Sequence, residues 1–399
     1  MAKFDNTMFA ALWSEEGRRI QTMILEDPNR VRQYFDFWRT KFSLDPVMTP
    51  TNPDGTAAFT STMRELKAGV MMDMRAPLAD GKPMEKGGAK SYTGTIPNFI
   101  GRTFIEKATE REYKENMFAQ MGIGIADQAL ASYTMNFLQE NMNGANMTLS
   151  HMAATLLSKG YVVYNQGEGI QAAIYKADIP TKNFLNAGAY VWSDIEHFKF
   201  LDWGVAMVEE LNSQFGVDIN WQLEITKADF KNYIMKNAQV LAQVRYVNNI
   251  NGLAMPATAQ VTRDMVLEAI NKWDGMPQIS IIEEKQNDIT NGVVNGWAEN
   301  TVVMRPVGLA GMIRHTSNLD AAMASKYGND VISAVYTQAL NGLLTIENAV
   351  VPNGRYKEWQ ARAMMQAIPS LDEFLAHFII KTNQANSDTT IVVSKPLNA

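Results

Sequence analysis

An α+β fold is what this sequence predicts. Three observations carry that reading. A long helical run spans about residues 103–142, a glycine- and lysine-rich hairpin candidate precedes it, and helix and strand patterns alternate from Tyr190 through a compact C-terminal half. At 399 residues the chain is too long for one simple core and short for three independent domains.

Near the start, Asn6 is placed to cap a helix whose apolar side carries Phe9, Leu12 and Trp13. Asp27-Pro28 reads as a cap followed by proline at the first helical position. Val31, Tyr34, Phe35, Trp38 and Phe42 then recur at helical spacing, either as a core helix or as an arm packing on a neighbouring subunit. Residues 45–57 form a turn-rich break.

From Leu66 to Gly101 the chain offers strand candidates at 69–74 and 91–96 around a run rich in glycine and lysine. Isolated two-stranded hairpins are marginal in water. This one has no evident apolar base of its own, so the expectation is that another copy completes it; a surface loop is the plain alternative. The long helix follows with Ile105, Tyr113, Met117, Met121, Ile125, Leu130 and Leu138 on one face, bent at Gly122 and Gly124. Its length would approach about 60 Å. No strict heptad is sustained, which argues against a coiled coil.

A turn at Asn143-Gly144 leads to a helix over about 149–158 and then a hairpin of Tyr161–Tyr164 and Ile170–Tyr175. Ser193 and Glu196 match a capping box for a helix bearing Phe198, Leu201, Val205, Val208, Leu211 and Phe215, stopped by Gly216. Thr226 caps a helix with Phe230, Ile234 and Leu241, and Thr262 one with Val266, Ile270 and Trp273. Gln278–Ile282 and Thr301–Met304 read as neighbouring buried strands. Stretches at 331–340 and 359–365 read as helical or mixed, and His377–Ile380 as a strand.

The absence of cysteine excludes disulfides, zinc ribbons and thiol catalysis. The four histidines, His151, His197, His315 and His377, form no local ligand pair. No catalytic, cofactor or metal residue is assigned. Serine-hydrolase elbow, zinc-protease and calcium-loop patterns are all missing. Residues 96–103 echo a phosphate loop but lack its leading glycine and lysine, so they read as a hairpin exit and helix cap. His315 with Asp320 reads as solvated surface and His197 as helix packing. The charge run Glu106, Glu110, Arg111, Glu112, Lys114 and Glu115 is either a solvated face or a polar seam. A net charge of −6 does not suit a general nucleic-acid binder. With no bilayer-length apolar stretch and no signal pattern after Met1, the expectation is a soluble protein that folds in a cytoplasm.

Four stretches carry a resemblance: Leu156 to Tyr164 with Gly167 and Gly169; Trp192-Ser-Asp-Ile195; Ala269 to Gly275 before Ile279–Ile282; and Asn300 to Met304 with Gly308 and Gly311. In their order and spacing the chain resembles tailed-bacteriophage major capsid proteins, in the branch of the lambda head protein. The resemblance covers most of the chain after about residue 65. It implies the Hong Kong 97-like capsid fold, with an N-terminal arm at 1–64, an extended loop at 65–104, a peripheral domain with a spine helix at 105–185, an axial domain at 186–385 and a tail at 386–399.

Under that resemblance the assembly residues would be Gly81, Lys82, Glu85, Lys86 and Lys90 in the loop. Glu106, Arg111, Glu115, Gly122 and Gly124 would serve the spine, and Trp13, Phe35 and Trp38 the arm. The implied function is a non-enzymatic subunit of hexamers and pentamers enclosing double-stranded DNA. Its mildly acidic wall would repel DNA, with no sequence-specific binding and no membrane contact. Portal, scaffold and decoration proteins are the implied partners, and the virion, assembled in a bacterial cytoplasm, the implied location. The alternatives are an encapsulin-like nanocompartment shell and an α/β hydrolase-type enzyme.

Overall fold

The computed structural model describes residues 37–50, 57–64, 89–106, 143–165, 171–188, 191–250, 260–282, 286–288, 292–294, 296–316, 334–339, 342–353 and 356–385. In chain order these form α1 (Phe37–Lys41), β1 (Phe42–Leu44), β2 (Ala58–Arg64), β3 (Ala89–Thr95), β4 (Asn98–Glu106), α2 (143–159), β5 (Tyr161–Asn165), β6 (Gln171–Lys176) and β7 (Phe184–Gly188). There follow α3 (Phe200–Phe215), β8 (Trp221–Thr226), α4 (Ala238–Ile250), α5 (Arg263–Asn271), β9 (Gln278–Ile282), β10 (Gln286–Asp288) and β11 (Gly292–Val294). The C-terminal part holds β12 (Thr301–Pro306), β13 (Gly311–His315), β14 (Ala334–Ala339), β15 (Leu344–Asn353), β16 (Tyr356–Leu371) and β17 (Phe378–Ala385).

The chain divides into two compact units of interleaved segments, where the sequence reading drew consecutive blocks. One comprises residues 1–59, 93–153 and 312–370, the other 60–92, 154–311 and 371–399.

The first unit is built on a sheet in the order β1-β13-β16-β15-β14, with β4 also pairing β16. β15 and β16 run antiparallel from Leu344↔Met365 to Asn353↔Tyr356. In α1, Trp38 is buried and its Nε1 donates to Asn146 Oδ1 at 3.1 Å. Trp38 is thus packed within its own chain.

The second unit holds a five-stranded sheet, β7-β17-β12-β8-β9. It is mixed: β12 is antiparallel to β8 and β17, whereas β8–β9 and β17–β7 are parallel. Alternate residues go to opposite faces. Trp221, Leu223 and Ile225 of β8, Val302 and Met304 of β12, and Phe378 and Ile380 of β17 join one apolar core with α3, α4 and α5. The helices contribute Leu201, Met207 and Leu211, Val240 and Val244, and Val266 and Ile270. Trp192, Phe198, Phe200 and Trp203 close one end with ring centroids 5.1–6.4 Å apart.

Several caps stand as expected. Thr226 Oγ1 accepts from Asp229 N at 3.1 Å and Thr262 Oγ1 from Met265 N at 3.4 Å. Gly216 ends α3 in the left-handed region at φ 66°.

Other expectations are corrected. Thr103, and Glu106 with it, lie in β4, so no helix starts there; Phe99, Ile100, Phe104 and Ile105 suit a strand, and β16 supplies the partner. The 96–103 stretch is therefore a strand-to-strand connection without a helix cap. The remaining helical run, 107–142, lies outside the described residues.

The stretches at 331–340 and 359–365 contain β14 and part of β16, because pairing in the sheet overrides the helix preference of Ala361, Ala363, Met364 and Met365. The 143–144 turn is helical. Ser193 does not cap α3, whose N-cap residue is Lys199 without a side-chain bond. Phe198 precedes the helix and is buried against Trp192. The helix expected from Thr226 through Leu241 breaks at Asn237, whose Oδ1 accepts from Gln239 N and Val240 N and starts α4 afresh. β12 and β9 share a sheet, but β8 lies between them.

Candidate functional site

The face of the five-stranded sheet opposite α3, α4 and α5 carries a buried ion pair. In register Val303 stands against Glu224 and Arg305 against Gln222, which puts Arg305 and Glu224 on the same face. Their side chains are 1% and 0% exposed. Arg305 Nε and Nη2 donate to Glu224 Oε1 at 3.1 and 3.0 Å, and Gln222 Nε2 donates to the same oxygen at 2.8 Å. Arg305 Nη1 turns the other way and donates to the carbonyls of Pro306 and Gly308 at 3.1 and 2.9 Å. The guanidinium thereby ties the sheet to the connection that leaves β12.

That connection is held at other points too. Val307 N donates to Asn220 O at 2.8 Å, and Ala310 O accepts from Asp372 N and Glu373 N at 3.0 and 3.4 Å. Gly308 has φ +133°, a conformation open to glycine. Val307 and Leu309 are 45% and 48% exposed on this fixed backbone. Burial pushes the Glu373 carboxyl above its ordinary range; Arg305 opposes the rise and Asp372 adds to it.

The adjoining turn anchors the root of the ribbon formed by β2 and β3. Ser61 Oγ donates to Asp372 Oδ1 at 2.6 Å, and Ser61 is 1% exposed. Ala57 and Phe59 are buried as well, and Ile96 N donates to Ala57 O at 2.8 Å. Ala58, Thr60, Ser91, Thr93 and Thr95 are exposed. Ala57, Phe59 and Ser61, just before the 65–104 stretch, are thus buried in their own chain, while residues 65–88 lie outside the described residues. The partner of β3 is also corrected: it is 58–64, while 69–74 lies outside the described residues.

In the first unit the segment after β1 is strapped to β13. Asp45 N donates to Ile313 O and Thr49 N to His315 O, while Arg314 Nη1 reaches Asp45 Oδ2 at 2.6 Å. His315, expected on a solvated loop, is fully buried on β13 with Nε2 at 2.9 Å from Asp45 O. His197, expected as helix packing, is exposed in the turn before α3, where its Nδ1 lies 2.9 Å from Asp194 Oδ1. The side-chain bond of that pair raises the imidazole pKa and lowers the carboxyl pKa.

His377 is fully buried, with Nε2 at 2.7 Å from Leu157 O. Burial lowers its pKa to about 4; Arg305 adds to the drop, and the Leu157 carbonyl and Glu224 oppose it. Among the described residues no group of three His, Cys, Asp or Glu can hold a metal ion. No described helix is long and apolar enough to cross a membrane.

Of the residues singled out from sequence, Lys90 lies in β3, Glu106 ends β4 and Trp38 is buried in α1. Gly81, Lys82, Glu85, Lys86, Arg111, Glu115, Gly122, Gly124, Trp13 and Phe35 lie outside the described residues. Sequence reasoning missed Arg305, Glu224, Ser61 and Asp372. A pointer existed for the first two: each is the one charged residue of its buried strand, Thr-Val-Val-Met-Arg-Pro and Trp-Gln-Leu-Glu-Ile-Thr. Nothing in sequence links Ser61 to a carboxylate 311 positions away.

No protein-family model matches the chain, and no curated protein does. Solved structures match it. A protein of Escherichia coli CFT073, assigned as the capsid protein of a prophage, aligns with a TM-score of 0.50 at 12% identity, over 91% of this chain and 97% of that one. The capsid of Myoviridae phage XM1 aligns at 0.40 and 9% identity, over 86% and 90%. A virus-like particle protein from Pyrococcus furiosus aligns at 0.38 and 9%, over 91% and 98%. The prophage match shows the fold: the chain is folded as that capsid protein is, in the Hong Kong 97-like class.

Proposed function

We propose that this chain is the major capsid protein of a tailed bacteriophage, a structural subunit that assembles into hexamers and pentamers around double-stranded DNA. The observation that carries the reading is the shared fold over nearly the whole length of both this chain and the prophage protein. The four sequence stretches that resemble phage capsid proteins support it independently. The fixed surfaces around Arg305 and Asp45 suit a subunit that works by geometry, since a closed shell needs one surface to meet a different surface of the next copy.

In this reading the unit of residues 60–92, 154–311 and 371–399 serves as the axial domain, and the unit of 1–59, 93–153 and 312–370 as the peripheral domain. The loop lysines Lys82, Lys86 and Lys90 reach over a neighbour, and bending at Gly122 and Gly124 adapts the spine to inequivalent positions. The chain catalyses nothing; His315 and His377 serve packing through main-chain carbonyls. Portal, scaffold and decoration proteins complete the virion, and assembly takes place in the host cytoplasm.

Electron microscopy of the chain expressed in bacteria, alone and with the genes that flank it, tests the proposal. Closed shells of uniform size are expected. A compact monomer under all those conditions sinks it.

A further inference from the structure

The chain has no cysteine and 25 methionines, so all its oxidisable sulfur is thioether. Several of these sulfurs lie out of reach: Met152, Met207 and Met304 are 0% exposed. Met48 is different. It is 45% exposed, and no other methionine among the described side chains is as open.

Met48 also holds something. A Cβ placed on Gly342 would lie 2.9 Å from Met48 Sδ, so the thioether rests directly on the glycine backbone just before β15. Glycine is the residue that permits so close an approach. Gly342, Leu343 and Leu344 are buried. The Met48 side chain is thus seated against the protein at its sulfur while nearly half of it stays open to solvent.

Met48 lies within the strap that runs from Asp45 to Thr49 along β13. The strap is pinned at both ends. Asp45 N donates to Ile313 O and Arg314 Nη1 to Asp45 Oδ2, while Thr49 N donates to His315 O and Thr316 Oγ1 to Thr49 O. Between the pins, Val47 N closes a short turn on Asp45 Oδ1 at 3.0 Å. The Met48 thioether fastens the middle of the strap, and all of these groups belong to one compact unit.

Oxidation changes that contact in kind. With hydrogen peroxide the Sδ lone pair forms an S–O bond, the O–O bond breaks, and the second oxygen leaves as water with both hydrogens. Sulfur loses two electrons and the peroxide gains them. The product is polar and chiral where the thioether was flexible and apolar. Its oxygen needs a hydrogen-bond donor, and leaving a polar atom unpaired at a protein contact costs free energy. A sulfoxide at Met48 must therefore lift off Gly342 to reach water.

We propose that Met48 is a peroxide-sensitive modification site, a thioether clasp whose oxidation frees the 45–49 strap from Gly342. The inference does not depend on the shell-subunit reading.

Brief treatment of the full chain with dilute hydrogen peroxide, followed by peptide mass spectrometry, should show sulfoxide at Met48 ahead of Met152, Met207 and Met304. Hydrogen exchange should then lose protection in peptides covering 45–49, and methionine sulfoxide reductase should restore it. Met48→Leu keeps an apolar clasp without an oxidisable atom, so its strap should keep its protection before and after the same treatment. Oxidation of Met48 no faster than of the three buried methionines overturns the proposal. So does an oxidised Met48 with unchanged exchange at 45–49. Loss of protection in treated Met48→Leu overturns it as well, because the effect then belongs to another methionine.

Discussion

His377 shows how one buried residue sets a pH dependence. Its ring is fully buried with Nε2 against Leu157 O, and burial holds its pKa near 4 against an ordinary 6.5. The folded state therefore binds this proton less well than the unfolded chain does. The contribution to stability is complete above pH 6.5 and is lost as pH falls from there through about 4. The difference corresponds to roughly 3 kcal/mol in total. His377→Gln should remove that part of the slope. Urea midpoints of the wild type and the variant should converge as pH is lowered from neutral to mildly acidic, and a constant gap contradicts the assignment.

Among elements, β8 and β12 are buried strands that each carry one charged residue. Glu224→Gln leaves the Arg305 guanidinium buried with its charge uncompensated, which typically costs about 3–5 kcal/mol. Replacing both residues, as Glu224→Leu with Arg305→Met, should recover most of that loss, because volume is kept and no charge is buried. Chemical denaturation of the two variants checks the ordering, and a double variant no more stable than Glu224→Gln contradicts it. The same pair illustrates what could be read beforehand. A lone Arg in Thr301–Pro306 and a lone Glu in Trp221–Thr226 stand out in the sequence, but their meeting depends on the antiparallel register of Val303 against Glu224.

For the whole molecule, under the proposed shell-subunit function, net charge governs how copies approach. Subunits of −6 repel one another until salt shortens the range of the field. Raising ionic strength from low to physiological values should speed assembly, followed by light scattering on purified subunits. A rate that falls steeply with salt would instead mean that attractive ion pairs dominate the contacts. The division of the chain operates at this scale too. Residues 312–370 cluster with 93–153, although more than 150 positions separate those segments, and no linear reading of composition marks such a return.

Much was determined by the sequence alone: the α+β class, the helices after Thr226 and Thr262, the stop at Gly216, and the 161–176 hairpin. The caps and the stop depend on contacts within a few residues, such as a hydroxyl meeting an amide three positions on, or a glycine accepting φ 66°, and the hairpin on pairs no more than 15 positions apart. Tertiary structure alone decided that 98–106 and 356–371 are strands. It also placed β8 between β12 and β9, buried His315 and tied the ribbon's root to Asp372. The physical reason is that strand pairing and burial of polar groups join residues hundreds of positions apart. The energy of such a pairing belongs to both partners, and neither stretch of sequence carries it alone.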